Sequence, residues 1–340
     1  MEPPRCNPRV PRRVAAIVAA VKITVLSGGV GGARFLRGVR ANASEGSAIT
    51  AIVNTGDDMW LSALRIAPDL DSIMYTLAGE NDDVRGWGRV GETERVSGEL
   101  RAYGVGWPWF TLGDLDIGTH LARTSMLRDG LTLAEATDRI TSRWPLGVRL
   151  VPATNDEVET QVVVEDGSSM HFQEWWTRHR ATLTATAFVQ RNVESALPAP
   201  GVLEAIADAD VVLFAPSNPV VSIGTILGIP GIRDAVRSTS AAVVGVSPII
   251  GGAVVRGMAD ACLTTIGVET SASAVAAHYG ARSAGGVLDA WLIAEEDAAL
   301  APEVEAAGIR ASVVPLWMHD IPTGAALAAA AIAAAASSRS

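Results

Sequence analysis

Four runs of consecutive apolar, largely β-branched residues recur along the chain, each ending in turn-forming residues: "KITVL" at 22–26, "ITAIVNT" at 49–55, "DVVLFAP" at 210–216 and "AAVVGVSP" at 241–248. Continuous rather than alternating apolarity marks strands covered on both faces, as in a parallel sheet between layers of helices. Helix-compatible segments follow at 33–41, 202–209 and 222–227. This alternation predicts an α/β fold, a Rossmann-like, doubly wound and mainly parallel sheet. The rhythm breaks between 72 and 198, where Trp87, Trp107, Trp109, Trp144, Trp175 and Trp176 lie among polar residues. We read that stretch as a helical and hairpin insertion on the sheet. Its clearest element is a strand pair in "ETQVVVEDGSSMHFQ", turned at Asp166-Gly167. No internal repeat is visible, and the reading is a single domain over 21–330 preceded by a flexible extension at 1–20.

Charge narrows the partners. A formal net charge of -10 and an isoelectric point near 5.0 argue against broad binding to nucleic acid or an anionic membrane, so any anion site is local. The two cysteines, Cys6 and Cys262, form no CxxC pair, which points away from a disulfide framework or zinc site and toward a cytoplasmic protein. The opening "MEPPRCNPRVPRRVAAIVAAVK" resembles a signal peptide, but its apolar part runs directly into the first strand. The alanine-rich "TGAALAAAAIAAAASS" near the C-terminus suits a packed helix better than a membrane span.

The candidate chemistry sits where strands end. Gly28, Gly29, Gly31 and Gly32 follow the first strand and open a helix, either to bring backbone N–H groups to a phosphate or only to make a tight turn. They are no nicotinamide fingerprint: Arg34 stands where the third glycine of G-x-G-x-x-G belongs, and the second strand ends at the amide Asn54 rather than an acid. No GK[ST] follows either. "NTGDDMW" and "APDLDS" place Asp57, Asp58, Asp69 and Asp71 after a core strand, as ligands of a hard cation such as Mg²⁺ or as caps and a solvated turn. "APSNPVVSIGTIL" supplies Ser217, Asn218, Ser222 and Gly224, and "VSPIIGG" supplies Ser247 and Gly251. Beside the glycine loop these strand ends compose one nucleotide site; singly each reads as a turn. In "LGDLDIGTHLARTSMLRDG" the spacing puts His120, Arg123 and Leu127 on one helix face, where the histidine is either a packing residue or a catalyst. "HFQEWW" offers an aromatic wall or core residues.

In combination, "SGGVGGARF", "VNTGDDMW", "PDLDSIMYTL", "LGDLDIGTH", "HFQEWW", "APSNPVVSIGTIL" and "VSPIIGGAVVRGMAD" resemble the CofD/FbiA family. These are the 2-phospho-L-lactate transferases of coenzyme F-420 biosynthesis; "GGVGGARFL" and "WPWF" resemble its actinobacterial FbiA branch. The resemblance implies a homodimer that takes a guanosine-diphospho-linked lactate or enolpyruvate donor and the deazaflavin FO, 7,8-didemethyl-8-hydroxy-5-deazariboflavin. The ribityl hydroxyl of FO attacks the phosphorus carrying the acid, and GMP leaves with Mg²⁺ assistance. It implies catalytic roles for Asp57, Asp71 and His120, with Asp57 and Asp58 on the metal. Nucleotide and phosphate contacts fall to Gly28, Gly29, Gly31, Gly32, Ser217, Asn218, Ser222, Gly224, Ser247, Gly251 and Arg128, and FO contacts to Asn54, Trp60, Asp69, Trp87 and His120. One departure stands out: the family reads LGDRD where this chain has Leu115, which leaves Arg123 or Arg128 to compensate. The rival readings are a YvcK-like regulator that binds a UDP-sugar, which should lack "HFQEWW" and "PDLDSIMYTL", and an NAD(P)-dependent oxidoreductase, disfavoured by Arg34 and Asn54.

Overall fold

Successive side chains of a strand point to opposite faces, so a run that is apolar throughout needs cover on both. The computed structural model, which describes residues 20–337, resolves the chain into fourteen strands. These are β1 Lys22–Ser27, β2 Ala48–Val53, β3 Met59–Leu61, β4 Leu64–Ile66, β5 Arg149–Pro152, β6 Glu159–Val164 and β7 Ser169–His171, followed by β8 Ala185–Arg191, β9 Val211–Phe214, β10 Ala242–Val246, β11 Ile249–Ile250, β12 Ala253–Val254, β13 Ala290–Ile293 and β14 Arg310–Val313. Seven of them make one parallel sheet in the order β14-β13-β10-β9-β1-β2-β5. On one face Val25, Ala51, Leu213, Val244 and Leu292 pack with Phe35, Leu36, Leu327 and Ala328. On the other, Leu26, Ile52, Phe214, Val243 and Trp291 pack with Ile206, Ile226, Val236 and Val275. The fold is therefore the expected Rossmann-like α/β sheet.

Chain order fixes where a ligand can enter. From β1 the chain steps outward through β2 to β5, then returns to place β9 on the other side of β1 and continues to β10, β13 and β14. The crevice between the carboxyl ends of β1 and β9 is the topological switch point, where open parallel sheets bind ligands. Five helices shape its β2 side: α1 Gly29–Asn42, α2 Pro68–Ala78, α3 Arg95–Ala102, α4 Asp114–Arg128 and α5 Leu133–Thr141.

The insertion carries a second, antiparallel sheet, β7-β6-β8, in which Gln161 faces His171 and Val162 faces Phe188. The turn between β6 and β7 has Gly167 at φ +80°. Trp175 and Phe172 of "HFQEWW" belong to the main core, with the Trp175 ring 5.6 Å from that of Phe188 and its Nε1 donating to the Leu183 carbonyl. Three strands of the seven-stranded sheet escape the sequence pattern, β5, β13 and β14; each has four residues, and β14, "RASV", is half polar. The helix expected over 222–227 begins earlier, as a π-helical turn Pro219–Ile223 that continues into Gly224–Gly228. The extension expected at 1–20 lies, except for its last residue, outside the described residues.

The alanine-rich segment forms the helix Ile321–Ser337 and buries Leu327, Ala328, Ala331, Ala334 and Ala335. Among the described residues no single helix is long and apolar enough to cross a membrane. The bent pair Pro219–Gly228 and Ile232–Ser238, at 86°, buries Val221, Ile226, Ile232 and Val236 in the core. Where the C-terminal helix crosses α1, Gly38 meets the backbone of Gly324 so closely that an added methyl group at position 38 would overlap its carbonyl. Gly38→Ala should therefore destabilise the fold by about 1–3 kcal/mol through overpacking, measured by urea unfolding. An unchanged midpoint would show that the two helices separate freely.

Candidate functional site

At the switch point the glycine loop has no room for side chains. A Cβ at Gly28 would lie 2.6 Å from Asp69 Oδ2 and 2.8 Å from Ser222 Oγ, one at Gly31 would lie 2.6 Å from the Pro216 carbonyl, and one at Gly32 would overlap Ser27. The β1 loop is thus pressed onto the loop after β9. Ser217 stitches the two: its hydroxyl donates to the Gly28 carbonyl at 2.7 Å and accepts from the Gly28 N–H at 2.9 Å. The neighbouring polar residues also work on the backbone. Asn218 Oδ1 accepts from the N–H groups of Val220 and Val221, its Nδ2 donates to Cys262 Sγ at 3.4 Å, and Ser247 Oγ closes its own turn on Ile249. Gly224 lies under the Pro219 carbonyl, and Gly251, at φ +60°, donates its N–H to Asp297.

Facing the glycine loop is a buried acidic cluster. The segment after β2 turns back on itself, Gly56 N–H donating to Asn54 Oδ1 and the Thr160 N–H of β6 donating to the Gly56 carbonyl at 2.7 Å. This folds Asp57 and Asp58 inward, where they are 5% and 1% exposed. Asp69, in the first turn of α2, accepts from Asn54 Nδ2 at 2.9 Å and from the Gly29 N–H. A carboxylate thus already sits at the positive end of α1, the position an anion would take. Burial raises all three acids: Asp69 to about 6 despite those two hydrogen bonds, Asp58 to about 7 against the pull of Arg65 and Arg123, and Asp57 well above the ordinary range with Asp69 and Asp58 adding to the effect.

Behind the cluster, α4 runs antiparallel to α2 and supplies a wall of ion pairs. The Arg123 guanidinium, 2% exposed, makes a two-pronged contact with the Asp71 carboxylate and also donates to the Arg65 carbonyl at 3.3 Å. His120 lies between Asp71 Oδ2 at 3.5 Å and Asp116 Oδ1 at 3.3 Å, and Tyr75 donates to the same Asp116 oxygen at 2.7 Å. Although burial works the other way, His120 and Tyr75 hold Asp116 below the usual carboxylate range. Asp71, Asp116 and His120 offer one ligand atom each within 4.8 Å of one another, an acidic triad with metal-binding geometry. Its carboxylates are already engaged, Asp71 with Arg123 and Asp116 with Tyr75, whereas Nε2 of His120, a residue 1% exposed, is left without a hydrogen bond.

The oxygens without partners lie on the other side. Among the described residues, half of the buried side-chain atoms lacking any hydrogen bond come from the end of β1, the segment after β2 and the start of β6: Ser27 Oγ, Thr55 Oγ1, Asp57 Oδ1, Asp58 Oδ1 and Thr160 Oγ1. Buried polar atoms are nearly always paired in native folds, so this concentration of hard oxygen donors and excess negative charge fits a divalent cation such as Mg²⁺. The remaining predicted residues fall elsewhere. Trp60, half exposed, donates its Nε1 to Glu157 at 2.8 Å and shares with Arg128 a cavity of about 250 Å³ whose other walls include Arg65 and Asn155. Trp87 is also half exposed, under the Arg85 guanidinium at 4.0 Å. Leu115 is exposed on α4.

Sequence reasoning left Arg65, Asn155 and Glu157 unmarked. Arg65 enters through the β3–β4 hairpin, whose two-residue turn is Ser62-Ala63 at φ +50° and +62°. Those residue types do not announce such a turn, so the hairpin and its arginine are silent in the sequence.

Comparison with known proteins adds a family to this geometry. Residues 23–323 match the family described as 2-phospho-L-lactate transferase CofD. The chain is 56% identical over 322 residues to a phosphoenolpyruvate transferase of Thermobifida fusca, covering 92% of this chain and 97% of that protein. It is 54% identical over 311 residues to a phosphoenolpyruvate transferase of Streptomyces griseus, covering 91% and 96%. Among solved structures it resembles a UPF0052 family protein from Bacillus halodurans, with a TM-score of 0.62 and 17% identity over 93% of this chain and 99% of the other; that likeness concerns the fold alone.

The raised acids set a pH dependence for the metal-free protein. Unfolded, these aspartates titrate near 3.8; folded, Asp69 titrates at about 6 and Asp58 at about 7. The folded chain therefore holds more protons across that interval, and its stability falls as pH rises through it. Thermal melts in chelator should show the midpoint dropping between pH 5 and about pH 7.5. Asp58→Asn should flatten that slope and raise the midpoint at the upper pH by about 2 °C or more. A midpoint that climbs with pH would contradict the assignment of the buried charge.

Proposed function

The chain belongs to the CofD family, and on that premise we propose that it transfers the phosphorylated three-carbon acid of a guanosine-diphospho-linked enolpyruvate, or lactate, to the deazaflavin FO in coenzyme F-420 biosynthesis. The relatives named phosphoenolpyruvate transferase support the enolpyruvyl donor. The single observation that carries the reading is the pair of unpartnered acid oxygens, Asp57 Oδ1 and Asp58 Oδ1, that follow β2 and act on Asp69, the carboxylate held at the N-terminus of α1.

In this reaction the terminal ribityl hydroxyl of FO forms a new O–P bond to the phosphorus bearing the acid. The bond from that phosphorus to the bridging oxygen breaks, and the bridging oxygen leaves with GMP. Such displacements depend on positioning and charge neutralisation more than on covalent help from the protein. Asp57 and Asp58 are the residues that would hold Mg²⁺, which supplies the positive charge that lets a diphosphate lie beside buried carboxylates. The diphosphate is assigned to the first turn of α1 at Gly31 and Gly32, since the N–H groups of Gly28 and Gly29 are already given to Ser217 and Asp69. Asp57 is assigned the hydroxyl proton. Asp71 acts at a distance from the substrate, as the anchor by which Arg123 holds α4 and the Arg65 strand in place.

Purified protein incubated with FO, Mg²⁺ and each guanosine-diphospho donor should yield, by mass analysis, GMP and an FO phosphodiester in equal amounts. Absence of both products with either donor would sink the reading, and UDP-sugar binding without turnover would point to a regulator instead. Asp57→Asn should lower kcat by at least about a hundredfold, the scale of losing a general base, while leaving the circular dichroism spectrum unchanged. Near-normal turnover at saturating Mg²⁺ would remove Asp57 from its role.

A further inference from the structure

The cavity beside Arg65 has a chemistry of its own. Its walls are Trp60, Arg65, Leu127, Arg128, Leu133, Asn155 and Glu157, drawn from the β3–β4 hairpin, the C-terminal end of α4, the start of α5 and the loop after β5. At about 250 Å³ it falls below the usual 300–1,000 Å³ of pockets that take drug-sized ligands, so it suits a fragment of a few heavy atoms better than a three-ring deazaflavin. Two guanidinium groups line it. Arg65 is 5% exposed and reaches Asp58 Oδ2 at 3.4 Å, while its guanidinium lies 5.9 Å from the Trp60 ring. Arg65 is shared with Asp58, whereas Arg128, at the exposed rim, is the cation that faces the cavity without a carboxylate of its own among the described residues. Glu157 is tied to the Trp60 N–H, and the Asn155 amide oxygen accepts from the Ala134 N–H, which leaves the Asn155 NH₂ as its donor end.

We infer that this cavity binds the carboxylate of the transferred three-carbon acid, with Arg65 and Arg128 as the recognising cations. Guanidinium groups match a planar carboxylate in two-pronged hydrogen bonds that an ammonium does not reproduce. Arg65 also gives the pocket its register with the chemistry: the residue lines the cavity and its guanidinium reaches Asp58, so an acid held here lies one residue away from the acidic cluster. The inference rests on the transferase reading for the identity of the acid, and it reassigns Trp60, expected from the sequence to meet FO, as a wall of the acid pocket. The ordinary alternative for Arg128 is a solvated charge in the last turn of α4, where it complements the helix dipole; that role would leave donor selectivity untouched.

The test compares the acidic donor with an uncharged counterpart, guanosine diphosphate ethyl ester, in the full-length protein. Wild-type protein should prefer the acidic donor, and Arg128→Ala should cut that preference by about 10–100-fold, the loss expected for a charge-assisted hydrogen bond. The loss should fall on KM, with kcat nearly unchanged and Arg128→Lys recovering part of it. Retention of the wild-type preference by Arg128→Ala overturns the proposal. Calorimetric titration of phosphoenolpyruvate provides a readout independent of turnover. Binding to wild-type protein that weakens at least about tenfold in Arg128→Ala, and in Arg65→Lys with an unchanged circular dichroism spectrum, supports the pocket. Equal binding to wild type and Arg128→Ala, no binding to wild type, or inorganic phosphate binding as tightly as phosphoenolpyruvate each overturns it. Protein that binds phosphoenolpyruvate in this way but transfers nothing to FO would sink the transferase reading while leaving the acid pocket standing.

Discussion

Five carboxylates kept out of water with only two buried arginines to answer them govern the design of this half of the molecule. Asp57, Asp58, Asp69, Asp71 and Asp116 are each at most 7% exposed, and Arg65 and Arg123 are the guanidinium groups among them. Removing a carboxylate from water costs several kcal/mol unless partners replace its hydration, so the surrounding elements can be understood by which oxygen each one satisfies. The antiparallel packing of α4 on α2 delivers Arg123 and His120 to Asp71, and Tyr75 to Asp116. The β3–β4 hairpin delivers Arg65 to Asp58, and the turn after β2 delivers Asn54 to Asp69. The deficit that remains is concentrated on the crevice side, at Asp57 and Asp58. A fold optimised for stability alone would not leave it there.

The glycine loop takes its form from the same constraint. Its glycines are needed chiefly for the close approach of β1 to the Pro216-Ser217 turn and to Asp69. Packing strips the first turn of α1 of side chains and brings Asp69 against it, so an anion there would need added positive charge to lie beside the carboxylate.

Much of this was legible in the sequence, and the boundary of legibility has physical causes. The central strands could be read because burial on both faces leaves an unbroken apolar signature, and the edge strands could not because four residues such as "RASV" carry none. The acids were legible as a cluster because they follow one strand closely in sequence. Their sorting into neutralised and unneutralised members was not, since it depends on Arg123 and Arg65, brought in by a helix 52 residues away from Asp71 and by a hairpin turned at Ser62-Ala63. The serines and Asn218 of the strand-end loops were read as ligand contacts from their residue types, whereas the structure shows Ser217, Asn218 and Ser247 engaged with backbone groups. Short hydroxyl and amide side chains bind local backbone as readily as ligand, and composition does not distinguish the two uses.

Leu115 shows how far a single departure from a family pattern propagates. It is exposed near the start of α4, beside the N–H groups that Glu92 caps at Leu115 and Asp116. Each turn advances 5.4 Å, and α4 presents His120 to Asp71 only one turn past Asp116, Arg123 to Asp71 in the turn after that, and Arg128 to the cavity at the far end. Compensation for an arginine at position 115 is therefore not something Arg128 is placed to supply, and Arg123 is already paired with Asp71 and the Arg65 carbonyl. Arg65 and Arg123 reach the acidic cluster from β4 and from the later turns of α4, so position 115, on the exposed face of the helix, lies apart from the ion pairs that answer it.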